Sequence, residues 1–288
     1  MAEADFRHDK YALDLTGMHM AITFALEGVR ERGKRLSEDA VVNDAMERMR
    51  KGLFMMAGSL NPEGKAKLEP EIEPTMARFK EHVLGGLGAE GLLLNLGLVL
   101  FYTQLEIFVN DLLDAVLRAE PRKFMDLFAK KNLTAKEAVE AGDYERVMEL
   151  LRGKIIDEID RQGTRGKFVK LLGEKFGLIE ESEINLTFPG QAGPACKWNI
   201  DKLVEIFDQR HRVVHRSELT VTDEDYLRRI QVFFSAIEAV LTINAVRRYN
   251  VRLGPVSVDM AQMMGPLIGV PRSHMKEFGK KVRAAPSE

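Results

Sequence analysis

The segment Phe207 to Arg216 reads Phe-Asp-Gln-Arg-His-Arg-Val-Val-His-Arg, and it concentrates the side chains of this sequence best suited to chemistry. Two of the six histidines and three arginines fall within seven residues, Arg210 to Arg216. An imidazole titrates near neutrality, so it can take a proton from one group and return it to another at working pH. A guanidinium stays charged and presents a planar fork of donors matched to phosphate oxygens. Together they could cleave an RNA phosphodiester using the substrate's own 2′-OH, without a metal. Two other readings fit the same residues. Cations at a helix C-terminus are favoured by the macrodipole, so a solvated basic helix end has this composition. His211 and His215, four apart, also share a helix face as in zinc helices of the His-Glu-x-x-His type. Arg212 stands where that motif needs a glutamate, and no third ligand is evident.

These side chains need a scaffold, and the apolar spacing predicts an all-α one. Helices are expected over Leu13 to Arg30, from after Ser37 as N-cap to Gly52, and from Gly91 to Ala119. Thr134 and Glu137 form a capping box for a short helix ending at Gly142. Asp143 opens the next, with Val147, Leu150, Leu151 and Ile155 inward, and Phe168 to Phe176 give another, closed by Gly177. The motif ends a helix over Ile200 to Arg216, burying Ile200, Leu203, Val204 and Phe207. Thr222 is expected to cap the last long helix, which buries Leu227, Ile230, Phe234, Ile237 and Leu241 and ends near Asn250. The stretch 58–74, with Pro62, Pro70 and Pro74, predicts a linker. The stretch 184–194 predicts a loop. One helix is too little for both acid and base. Arg210 and His215 lie about 140° apart around an ideal helix, so they could converge on a cleft that a two-fold partner completes.

In this context Arg210-His211-x3-His215 resembles the Arg-x4-6-His motif of the HEPN superfamily, in which a polar residue follows the arginine. Val213-Val214 precedes the second histidine, and Ser217-Glu218-Leu219-Thr220-Val221-Thr222 leads into the final helix. Upstream, Phe101-Tyr102-Thr103-Gln104-Leu105-Glu106-Ile107-Phe108-Val109-Asn110 is similar to the first long helix of such domains, with Glu106 at an often acidic position. The resemblance implies a helical bundle over residues 85–250 with extra N-terminal helices (1–84) and a tail (251–288). It also implies a metal-independent endoribonuclease acting as a homodimer, with no cofactor, of a kind found among toxins, anti-phage effectors and RNA-processing factors. Carried over, Arg210 would hold the scissile phosphate and His215 would serve as general acid/base. His211 would assist, Arg212 and Arg216 would touch flanking RNA phosphates, and Glu106 would support the site from behind. An antitoxin or regulatory protein would be a further partner. The alternative is a non-catalytic RNA- or protein-binding module on the same fold.

Composition bounds these readings. The chain has 288 residues, 45% hydrophobic and 30% charged, with 42 basic and 44 acidic residues, a net charge of -2. That balance excludes an overall polycationic coat but not a local basic patch. A lone cysteine, Cys196, excludes an internal disulfide framework. The acidic N-terminus lacks a signal-peptide pattern, and the apolar run from Gly91 to Ile107 is short and interrupted for a membrane span. A cytoplasmic protein without membrane contact is the expectation. The tail carries Met260, Met263 and Met264, expected as core filling, then a basic end with Lys276, Lys280, Lys281 and Arg283.

Overall fold

A computed structural model of the chain describes residues 5–58, 62–79, 87–161, 166–179, 186–188, 196–267 and 269–284. It is an all-α bundle. The helices are α1 (His8–Glu38), α2 (Ala40–Gly58), α3 (Pro62–Phe79), α4 (Leu87–Ala119), α5 (Met125–Phe128), α6 (Ala135–Ala141) and α7 (Tyr144–Asp160), followed by α8 (Ile200–Arg216), α9 (Glu224–Tyr249), α10 (Pro255–Leu267) and α11 (Arg272–Ala284). A 3-10 turn (Pro121–Phe124) precedes α5, and a π-helical segment (Gly166–Lys175) follows α7.

The core is built around α9, whose residues from Phe233 to Val246 are buried on nearly every side except Ser235. The helices α1, α4, α10 and α11 pack around it, and α8 packs on α4. One apolar cluster runs continuously from Phe6 to Phe278. Leu105, Phe108, Leu112 and Val116, four positions on one helical face of α4, are each no more than 1% exposed. Two helices, Ala89–Ala119 and Glu224–Tyr249, are long and apolar enough to cross a membrane, so the length objection to a span does not hold for the whole of α4. Both are instead core helices, with 56% and 78% of their most apolar windows buried within the protein. The N-terminal strap is tied to the tail, where the Phe6 N–H donates to the Arg252 carbonyl (2.9 Å) and the Ser257 hydroxyl donates to Asp9 (2.5 Å).

Several local expectations hold in detail. Thr134 and Glu137 form a capping box at the N-terminus of α6, Gly142 closes the helix at φ 76°, and the Asp143 side chain caps α7. The helix over Phe168 to Phe176 forms with π geometry: the Phe176 N–H donates to the Leu171 carbonyl, and Gly177 turns the chain at φ 58°.

Other expectations are corrected. Residues 62–79 form a helix rather than a linker. Pro62 occupies the first helical position, where its missing N–H costs nothing, while Pro70 and Pro74 lie inside. These two are four apart and exposed, so water can hydrate the carbonyls they leave unbonded. The opposite face buries Ile72 and Met76 against Met46, Leu53 and Phe54 of α2, which drives the helix despite its prolines. Ser37 lies in the last turn of α1 rather than capping α2, and α2 runs on to Gly58. Asp223, not Thr222, caps α9, accepting from the Asp225 N–H. Leu150 is 39% exposed, and on α8 it is Ile206 that is fully buried while Val204 and Phe207 are half-buried. Within the expected loop, Leu186–Phe188 pairs antiparallel with Cys196–Trp198. Three-residue strands are too short to show alternation. What anchors them is aromatic packing, with Trp198 4.9 Å from Phe188 and 5.5 Å from Phe233. Pro189, Gly190, Gly193, Pro194 and the boundary at 84–85 lie outside the described residues. In the tail Met263 is 62% exposed and Met260 half-buried, the Met264 side chain lies outside what is described, and Ala261, Val270 and Phe278 fill the core.

Candidate active site

The motif ends α8, and its positions follow from how that helix is held. Asn199 caps the N-terminus through the Asp201 and Lys202 N–H groups. Leu203 and Ile206 anchor the buried face, and the C-terminus closes with Ser217 in the left-handed region at φ 54°. The next turn is fastened by Asn95 of α4, which is 1% exposed. Its Oδ1 accepts from the Thr220 and Val221 N–H groups, at 2.8 and 3.0 Å, and its Nδ2 donates to the Val221 carbonyl at 2.8 Å.

On this frame the rings of α8 form a ladder leading outward from the core. Tyr102 of α4, 2% exposed, stands 5.5 Å from Phe207, centroid to centroid. Phe207 is 6.4 Å from His211, and His211 is 4.4 Å from His215, tilted by 43°. Positions 207, 211 and 215 follow at intervals of four, so the ladder is a direct product of helical geometry. Both histidines are exposed at its outer end. The Arg210 guanidinium carbon lies 5.9 Å from the Tyr102 ring centroid, in cation–π range. Arg210 is half-buried, and its Nε is enclosed without a hydrogen-bond partner among the described residues. Among the described residues no carboxylate pairs with it.

The expected site residues thus separate into two groups. Arg210 lies over Tyr102, while His211 and His215 follow Phe207 outward along the exposed end of the same helix. Arg212 and Arg216 both reach Glu218 instead, at 3.8 and 4.0 Å, so their charge is partly met within the protein. Glu106 is half-buried one turn beyond Tyr102 on α4. Tyr102 and Asn95 are positioning residues that the sequence signal did not single out. Tyr102 falls within Phe101–Asn110, the stretch that resembles the first long HEPN helix, and Asn95 is a polar residue inside the apolar run from Gly91 to Ile107. Among the described residues no cluster of three or more His, Cys, Asp or Glu side chains is placed to hold a metal ion.

Exposed apolar side chains lie on the motif helix, on the loop after it and at the start of α4. Val214 and Leu219 are each 46% exposed, and Leu92 and Leu96 of α4 are 63% and 50% exposed. Gly91 sits so close to Leu219 that an added Cβ would stand 3.0 Å from its Cδ1, which places the start of α4 against the loop that follows the motif.

Neither the curated proteins nor the solved structures include a match to this chain. A family profile does: that of RiboL-PSP-HEPN covers residues 85–243, more than half of the sequence and all of the span from α4 through the motif into α9. The chain therefore belongs to the RiboL-PSP-HEPN family.

Proposed function

We propose that this protein is a metal-independent endoribonuclease whose active site is Arg210, His211 and His215 of two copies facing one another across a homodimer. The observation that carries the reading is the half-buried guanidinium of Arg210, held over Tyr102 with no carboxylate partner among the described residues, on the same helix end as two exposed imidazoles 4.4 Å apart. Membership of a HEPN family, whose domains are often nuclease or RNA-related, supports the same chemistry. The exposed apolar side chains of Val214, Leu219, Leu92 and Leu96 fit burial by a second copy.

In this reading Arg210 binds the non-bridging oxygens of the scissile phosphate and stabilises charge that builds there in the transition state. An imidazole accepts the proton of the 2′-OH as the O2′–P bond forms, and a protonated imidazole donates to the O5′ atom as the P–O5′ bond breaks. The products are a 2′,3′-cyclic phosphate and a 5′-hydroxyl. His215 fills one of these roles, and the partner's copy of the same residue type supplies the other. Arg212 and Arg216 could turn from Glu218 to flanking phosphates when RNA binds. A cytoplasmic RNA-cutting toxin or anti-phage effector, restrained by an antitoxin or regulatory protein, is the biological setting that this activity fits.

The test is cleavage of RNA by the purified full chain in excess EDTA, with end-group analysis of the products. Cleavage is expected to persist in EDTA and to vanish in His215→Ala protein that keeps its fold and oligomeric state. Cleavage that survives His215→Ala, or that EDTA stops, overturns the proposal. No cleavage of any RNA, with stable binding retained, would instead identify a non-catalytic binding module.

A further inference from the structure

The C-terminal helices form a second feature, outside the residues matched by the family. A groove of about 770 Å³ runs along α11 beside the turn from α10. Gly269, at φ 80°, makes that turn, and Gly265 lets α11 approach closely, since an added Cβ there would collide with Met275. Arg272, Lys276, Lys280 and Arg283 all line the groove and are all exposed. None of the four meets a carboxylate among the described residues. Their neighbours behave differently, for Lys281 donates to Asn250 at 2.6 Å and Glu277 is taken up by Arg247 at 3.0 Å.

Four cations at intervals of four, four and three share one helical face. Successive charges therefore stand about 4.5–6 Å apart along the axis, close to the spacing of successive phosphates on an extended nucleic-acid strand. The opposite face of α11 is already occupied: Phe278 is fully buried, and Met275 and Val282 pack on the same core around α9. A basic amphipathic helix binds a membrane by inserting its apolar face, and here that face is not available. Among the described residues no aromatic side chain lines the groove, so it offers charge to a backbone rather than a stacking platform for bases.

We propose that this groove is a second RNA site, binding the phosphate backbone of single-stranded RNA without reading its sequence. The preference for RNA over another polyanion rests on the nuclease reading of α8; the existence of an anion groove does not. The groove lies beside the C-terminal half of α9, near Ile243 and Arg247. The motif helix ends a short loop away from the α9 N-terminus at Glu224, roughly 30 Å along the helix at 1.5 Å per residue. A strand of several nucleotides would be needed to occupy both sites of one chain. The groove would therefore raise affinity for long RNAs and leave the chemical step alone.

The experiment uses the full chain and a quadruple variant, Arg272→Gln, Lys276→Gln, Lys280→Gln and Arg283→Gln, all at exposed positions. The binding probe is an oligouridylate about a dozen nucleotides long, with 2′-O-methyl riboses to prevent cleavage, titrated at several salt concentrations. The variant is expected to bind at least about tenfold more weakly, with a log–log salt slope shallower by about 3, as for four lost single-strand phosphate contacts. Cleavage of a dinucleotide should be unchanged. Unchanged oligouridylate affinity and slope would overturn the proposal. So would a variant whose only loss is binding of a polyglutamate peptide or of anionic phospholipid vesicles. If neither protein cleaves RNA but the difference in binding holds, the nuclease reading fails and the groove stands.

Discussion

Asn95 of α4 and Val221 in the turn after α8 exchange two hydrogen bonds: Asn95 Oδ1 accepts from the Val221 N–H at 3.0 Å, and Asn95 Nδ2 donates to the Val221 carbonyl at 2.8 Å. A side-chain amide thus takes the place of a paired strand for a buried stretch of irregular backbone. The same Oδ1 accepts from the Thr220 N–H at 2.8 Å. The chain that leaves the motif is thereby fixed against α4, the helix that also carries Tyr102. Asn95→Ala strands buried backbone groups at Thr220 and Val221, and leaving such groups unmade is what costs most. The expected loss is about 2–4 kcal/mol of unfolding free energy, read from denaturant midpoints. Hydrogen exchange at the Thr220 and Val221 amides should accelerate selectively. Unchanged protection at both would show that Asn95 does not hold the turn.

Tyr102 gives a way to separate positioning from packing. Its ring lies under Arg210 and against Phe207, so Tyr102→Leu removes the surface that orients the guanidinium, whereas Tyr102→Phe keeps it. A cation–π contact in a partly desolvated setting is worth about 1 kcal/mol, so RNA cleavage by Tyr102→Leu should fall about fivefold to tenfold. Tyr102→Phe should restore most of that rate. Equal losses in the two variants would mean that the hydroxyl, not the ring face, is what matters.

The motif was legible in the sequence because helical periodicity is a local property: 207, 211 and 215 must share a face once α8 forms. Its helix was legible for the same reason, with bounds at Ile200 and Arg216 matching the structure. What it rests on was not. Tyr102 and Asn95 are over a hundred residues away, and nothing in one sequence pairs them with Arg210 or Val221. The separation of Arg210 from Arg212 and Arg216 was hidden too, since it depends on Glu218 folding back past a left-handed Ser217. The reading of 58–74 as a linker failed differently. It weighed the local cost of proline correctly but had no view of the α2 face that compensates for it.

That compensation can be measured. Pro70 and Pro74 each lack the N–H that a helix interior uses, a cost of up to about 3 kcal/mol per residue against alanine. Both are exposed, so their rings contribute little burial. Pro70→Ala and Pro74→Ala are each expected to stabilise the α2–α3 pair by about 1–3 kcal/mol, raising its resistance to proteolysis and the helical signal in circular dichroism. A loss of stability would mean that one of the prolines holds a tertiary contact of its own.

The interior carries two titratable groups that push stability in opposite directions with pH. His8 is 1% exposed, with both ring nitrogens lacking hydrogen-bond partners among the described residues, and burial lowers its pKa to about 4, against a smaller opposing effect of Asp9. The unfolded chain binds a proton at His8 near the ordinary value of 6.5. Between about pH 6.5 and pH 4 the unfolded state therefore holds more protons, and stability falls as pH falls through that window. The loss from this residue is on the order of 3 kcal/mol. Glu238, fully buried in α9 with neither carboxyl oxygen hydrogen-bonded among the described residues, is displaced the other way: burial first, and Asp14 second, raise its pKa well above 4.5. Above about pH 4.5 the unfolded state sheds that proton while the folded state keeps it, so this residue costs stability as pH rises. His8→Phe is expected to remove the acid-side loss, and Glu238→Gln to raise stability at neutral pH. Denaturant unfolding across pH 4 to 8 should show the two variants diverging from the parent at opposite ends of the range. Parallel curves for parent and Glu238→Gln would mean that the carboxyl already ionises inside the fold.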